Sequence, residues 1–368
     1  MIHQLNPLGD AGLLCDTLMN RYPNPLDLPP AHRWHYHQGV FLLGVLRLGQ
    51  TVCESSYISY VDQWIGELVG EDGSVDYTAG ELDALQPANL LFHRLDVDSD
   101  GRYRRALDLL MGVLDDFPRT DQGGFWHKLK YPNQQWLDGL YMIGPLSARY
   151  SQLTGDSRWI DDAVTQAFLI ADGSRDEKTG LLRHGFDRSR SAAWVRNGDM
   201  RAPDSWGRAL GWFPAALLDI LDWMPDDHSK RDCVKDLFLD LMEIIIRYRD
   251  PDAGLWYQVL DKGDDPGNWI ETSCSSLFLY AMAKGRIMGL IDASIDKLIA
   301  ETYRALTTKT RRSTDGGFLV DDICIGTGIG DYRFYLDRPR STNDLHGVGA
   351  YILAALEVHR VFHLGQVT

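Results

Sequence analysis

The chain has 368 residues, 44% hydrophobic and 24% charged, a composition typical of a globular protein long enough to bury a sizeable core. Its 37 Lys and Arg stand against 52 Asp and Glu, a formal charge of −15, so the average field repels nucleic acid and anionic membrane surfaces, and neither is an expected partner. Five scattered cysteines without a CxxC pair argue against a disulfide framework or a zinc clip, and MIHQLNPLGDAGLLCD has no basic segment before an apolar core; a soluble, cytoplasmic protein is expected.

In chain order, helical patterns are expected at about 9–21, in one long helix from about Tyr36 to Val69, and then near 81–94, 101–115, 137–153, 157–171, 205–223, 229–249, 271–288, 293–308 and 344–362. Strand alternation is scarce. Gly39, Gly44 and Gly49 are costly inside a helix and mark places where a neighbour packs close. A glycine-containing turn recurs, as DGSVDY (72–77), GGFWHK (123–128), GLLRHG (180–185), GLWYQV (254–259) and GGFLVD (316–321). The intervals of about 50 to 75 residues fit one helical hairpin plus loops. In LTGDSRW (153–159), Gly155 suits a left-handed C-cap and Asp156 an N-cap. Five or six hairpins over the whole length with no low-complexity linker predict one all-α domain, 1–368, closed as a toroid of helix pairs rather than an open solenoid. Its inner helices should be buried all round, as the apolar faces of WGRALGWFPAALLDILDWM (206–224) require.

Function is expected at loops and helix N-termini around one mouth of that barrel. In FWHKLKYPNQQWLDGLYM (125–142), Asp138 lies among Trp136, Tyr141, His127 and Lys128 where a loop becomes a helix. Flanking rings desolvate a carboxylate, which raises its pKa and lets it hold a proton to donate. The competing reading makes Asp138 an N-cap. Asp83 in ELDALQP (81–87) is the best second acid, with the same alternative. Arg208, between Trp206 and Trp212, suits bidentate capture of a carboxylate, or a structural pair with Asp204. His127 and His184 sit where a pocket wall would run, and a lone histidine such as His184 also serves as hydrogen-bonded structure.

Other motifs fail. DVDSDG (96–101) matches half a calcium loop, but position twelve is Leu107, so a capped helix turn is expected. HYH (35–37) offers metal ligands without a third partner at useful spacing. GTGIG (326–330) has Asp331 where a dinucleotide fingerprint needs glycine, and no P-loop or GxSxG occurs. No metal and no cofactor is expected.

Several stretches together resemble glycoside hydrolase family 105, the unsaturated rhamnogalacturonyl hydrolases: PRTDQGGFWHKLKYPNQQWLDGLYM (118–142), DSWGRALGWFPAALLDILDWMP (204–225), DAGLWYQVLDKGDDPGNWIETSCSSLFLYAMAKG (252–285), and CIGTGIGDYRFYL with NDLHGVGAYILAALE (324–357). The resemblance implies an (α/α)6 barrel that hydrates the C4=C5 double bond of an unsaturated uronate at the non-reducing end of a lyase-generated oligosaccharide. It implies Asp138 as general acid and base, Asp83 as second acid, and Tyr36, His127, His184, Arg208 and Trp212 as residues holding the sugar. Where many relatives read WARGNGW, this chain has Leu210 in place of the asparagine. The expected function is removal of unsaturated galacturonate from rhamnose. The alternatives are an unsaturated glucuronyl hydrolase on ulvan-type fragments, a sugar isomerase or inverting glycosidase on the same barrel, and a catalytically silent sugar-binding protein.

Overall fold

The computed structural model describes residues 5–364. Its α-helices are α1 (Pro7–Arg21), α2 (Tyr36–Val52), α3 (Ser55–Leu68), α4 (Arg102–Asp115), α5 (Leu137–Thr154), α6 (Arg158–Ser174), α7 (Gly207–Leu221), α8 (Arg231–Arg247), α9 (Thr272–Ile287), α10 (Asp296–Thr307), the short α11 (Tyr332–Leu336) and α12 (Leu345–His359). A 3₁₀ segment, Leu82–Val97, stands where one more inner helix belongs.

The long helix expected from Tyr36 to Val69 is two helices. Cys53 adopts a left-handed conformation (φ 55°) that ends α2, and the Glu54 carboxylate accepts from Ser56 N at 3.1 Å to start α3. No Gly or Pro marks this turn, so the pattern gave no warning. The segment near 81–94 also differs from expectation. Pro87 has no N–H, so the Ala84 carbonyl lacks its local donor, and the Trp34 indole N–H takes its place at 2.9 Å.

Contacts among α2, the 3₁₀ segment, α5, α7, α9 and α12 run in order and return from α12 to α2, closing a ring. Each ring member carries an outer partner, respectively α3, α4, α6, α8, α10 and α1. This is an (α/α)6 barrel. The glycines do what their cost implied: a Cβ on Gly44 would lie 3.1 Å from Ile352 of α12, and one on Gly39 would strike Gln86 and Pro87. The recurring turns also hold, for Gly73, Gly123, Gly180, Gly254 and Gly316 all have positive φ, from 69° to 89°, which a side chain would oppose. Gly155 is the left-handed C-cap of α5. In DVDSDG, Asp98 spends its carboxylate on the backbone N–H groups of Tyr103 and Arg104, a capped turn.

All six inner elements run the same way. Tyr36, Asp83 and Asp138, each within the first two residues of its element, share one opening, whereas Arg47, Asp219 and Lys284, late in theirs, meet at the other end. The positive ends of the backbone dipoles therefore converge on one mouth. An anion can be drawn there despite the charge of −15.

Candidate active site

A short two-stranded sheet, its strands separated in the chain by α5 and α6, builds the centre of the mouth. β1 (Gln134–Trp136) pairs antiparallel with β2 (Gly185–Asp187), Trp136 opposite Gly185, and Leu137 N donates to the His184 carbonyl at 3.1 Å. That register sets His184 beside Asp138 at the start of α5. A second link does the same for Asp83: Leu82 N donates to the His127 carbonyl, bringing the 3₁₀ segment against His127 and Lys128.

The opening encloses about 310 Å³, room for about one sugar ring, and is lined by Tyr36, Asp83, His127, Lys128, Trp136 and Asp138, among others. Neither acid is a helix cap. Asp138 follows the N-cap residue Trp136 by two positions and makes no capping bond, and Asp83 is turned to Lys128 and His127. Trp136 stacks on His127 at 4.3 Å and on Tyr131 at 5.3 Å, an aromatic wall of the kind sugar faces lie against.

His184 has no exposed surface. Tyr335 O–H lies 2.8 Å from its Nδ1, and the backbone N–H of Gly330 donates to the same phenol oxygen; because Nε2 faces the Asp138 carboxylate, which only accepts, the neutral ring carries its proton there and takes the phenol proton at Nδ1. Burial holds the Tyr335 pKa well up, which keeps that proton in place. The ring's other N–H then faces Asp138: Nε2 is 3.2 Å from Oδ2 but off the hydrogen-bond axis, so neither atom is satisfied.

The expected rise in the Asp138 pKa does not occur. Burial pushes the group up, but His184 and His127 outweigh it and hold the carboxyl below the usual range. The rings that desolvate Asp138 arrive with imidazoles, which the linear pattern did not reveal. Asp83 is also low: burial opposes, and His127 and Lys128 prevail. His127 is pushed down to about 4 by burial and is neutral near pH 7, its Nδ1 unpaired.

Three expected pocket residues, His184, Arg208 and Trp212, do not line the opening and lie one layer back. Arg208 is buried, donates to the carbonyls of Cys324 and Ile325, and packs over Trp206 at 4.4 Å. It therefore fixes the loop behind Tyr36; its suggested partner Asp204 is engaged by Lys262. Trp212 and Tyr141 pack against each other with tilted rings, centroids 4.4 Å apart, and Leu210 is buried in the apolar core. Lys130, Tyr131, His35, His37 and Gly326, Thr327 and Gly328 of GTGIG also line the opening. Tyr131 and Lys130 lie in the stretch already singled out around Asp138. GTGIG was legible only as a failed nucleotide loop.

Fold and mouth together define a class, an (α/α)6-barrel glycoside hydrolase. Residues 12–362 match the model of Glycosyl Hydrolase Family 88, and the chain belongs to that family. A glycoside hydrolase from family 105 of C. acetobutylicum ATCC 824 superposes with a TM-score of 0.90 and 29% identity, covering 95% of this chain and 99% of that one. The unsaturated rhamnogalacturonyl hydrolase YesR of Bacillus subtilis (strain 168) is 24% identical over 260 residues, 69% of this chain and 72% of its own length. An unsaturated glucuronyl hydrolase from Bacillus sp. GL1 shares the fold, with a TM-score of 0.72 at 14% identity, covering 99% of this chain and 97% of that one. The chain is thus a glycoside hydrolase of the unsaturated glycuronyl and rhamnogalacturonyl type.

Proposed function

We propose that the enzyme removes a 4,5-unsaturated uronic acid, first of all unsaturated galacturonate linked to rhamnose, from short lyase-generated oligosaccharides, with Asp138 as its acid and base. The observation that carries this reading is the Asp138 carboxylate on the pocket wall, with one oxygen unsatisfied beside His184. The substrate's carboxylate enters where the helix N-termini and Lys128 attract it. Its negative charge and the water it excludes both push Asp138 upward, as Asp83 already does from the far side, so Asp138 gains its proton as substrate binds.

Protonated Asp138 then delivers that proton to C4 of the enol ether. Positive charge at C5 is shared with the ring oxygen, water adds at C5, and its released proton returns to Asp138. The hemiketal opens and the neighbouring sugar departs with a hydroxyl, one water having been consumed. Asp83, ionised between His127 and Lys128, keeps those two groups aimed at the opening. The five unbridged cysteines suit work on imported fragments in a reducing compartment.

The test is loss of the enol ether's ultraviolet absorbance on rhamnogalacturonan fragments and, in parallel, on fragments ending in unsaturated glucuronate. Preference for the first set supports the galacturonyl reading, and preference for the second replaces it. Full activity in Asp138→Asn would remove the acid assignment.

A further inference from the structure

Outside the acid pair, one group of side chains is arranged for a ligand. His37 in the first turn of α2, and Asp344 and His346 at the start of α12, converge from opposite ends of the sequence, their ligand atoms all within 4.8 Å of one another. His37 Nδ1 is 3.4 Å and His346 Nδ1 2.8 Å from the same carboxylate oxygen, Oδ1 of Asp344. Neither contact lies on a hydrogen-bond axis: His346 Nδ1, on a ring with no exposed surface, has no partner. Asp344 stands at the N-cap position of α12, where aspartate ordinarily accepts from the helix N–H groups, yet it makes no capping bond and faces the two rings instead.

The far side of His346 completes the pattern. Its Nε2 lies 3.2 Å from the Cys324 carbonyl, which can only accept, so Nε2 carries the proton and, in the neutral ring, Nδ1 keeps its lone pair. A histidine whose outer N–H is held by a backbone carbonyl while its inner nitrogen faces a carboxylate and a second imidazole is oriented as a metal ligand is. We propose that His37, Asp344 and His346 form a binding site for a divalent transition ion, Zn²⁺ before others, with three protein ligands and an open position. Two imidazoles and one carboxylate are a borderline donor set that favours such ions over Mg²⁺ or Ca²⁺.

Other charges facing the cluster set its strength. Arg208, which shares the Cys324 carbonyl with His346, is the opposing cation and weakens the site. The ion would join the first inner helix to the last, closing the ring where no peptide bond does, so its binding should stabilise the fold. His37 also lines the active opening, which places the ion at the edge of the substrate pocket.

The experiment uses the full chain stripped with a chelator. Zn²⁺ is titrated by calorimetry, Co²⁺ is added for its visible absorption, and the melting midpoint is recorded with and without Zn²⁺. The expected result is one equivalent bound, a Co²⁺ spectrum of low coordination number, and a raised midpoint. His37→Gln, in a half-buried position that tolerates the change, and His346→Gln should each weaken binding about tenfold or more, whereas His127→Gln should not. Absence of heat and of Co²⁺ absorption at millimolar metal overturns the proposal, as does equal binding in folded His37→Gln and wild type.

Discussion

At the closed end of the barrel, Lys284 meets Asp219, reaches Asp222 at 2.5 Å and lies 3.2 Å from the Tyr280 hydroxyl, which itself donates to Asp219 and accepts from Arg47. At the open end, Asp138, His184 and His127 are as deeply buried, yet each leaves a polar atom without an on-axis partner. Both clusters place charge in a low dielectric, and both sit at the ends of the same helices. Pairing separates them. A buried network whose charges are all matched supports the fold, whereas one with unfilled valences is shaped to be completed by a ligand. The dipoles assist both arrangements, with cations at the helix C-termini below and acceptance of an anion above.

Four outcomes would break or sharpen this contrast. The largest is Asp138→Asn, which should lower kcat by about 10³-fold or more while the melting curve stays close to wild type, measured by ultraviolet turnover and circular dichroism. Lys284→Met should do the reverse. Removing one partner of a buried pair leaves Asp219 uncompensated and costs about 3–5 kcal/mol in denaturant melts, with turnover per folded molecule nearly unchanged. That deficit should also depend on pH. In the wild type, burial would raise Asp219 but Lys284 and Arg47 keep it low, so its stabilisation is present at neutral pH and lost as pH falls through the folded value. In the variant Asp219 titrates higher, so acidification relieves the unpaired charge and the two proteins converge.

A smaller effect is expected from Lys128→Ala. One charged hydrogen bond to the uronate, worth about 1.5–3 kcal/mol, corresponds to a loss of about 10- to 150-fold in kcat/KM. Loss of folding instead would put Lys128 with the structural charges. Smallest is the separation of pH profiles. With Asp138 low in the free enzyme and raised by substrate, kcat/KM should fall with rising pH over a range where kcat stays flat. Coincident breaks would show that substrate does not move the proton equilibrium.

How far the sequence could be read depended on the range of the interaction. Hairpin punctuation was legible because positive-φ glycines and caps act within a few residues: the turns at Gly73, Gly123 and Gly180 fall where the spacing placed them. The hidden break at Cys53 was not, because a left-handed residue without Gly or Asn leaves no compositional mark. Asp138 and Asp83 were legible as acids at element starts. Their low pKa values were not, since these depend on His184, His127 and Lys128 arriving through strand pairing and loop contacts. Arg208 was legible only in part: its aromatic setting is local, whereas the Cys324 and Ile325 carbonyls it binds come from a loop more than 100 residues away.

By itself the sequence determined the hairpin repeat and the burial of the inner helices, and it marked candidate acids at element starts, because periodicity, capping and residue type are local properties of the chain. Only the tertiary structure decided which of those side chains meet. His37 had no third ligand within any useful spacing, and ring closure supplied two from more than 300 positions away. Proximity across a closed barrel is fixed by packing and pairing between distant segments, and no window along the chain contains it.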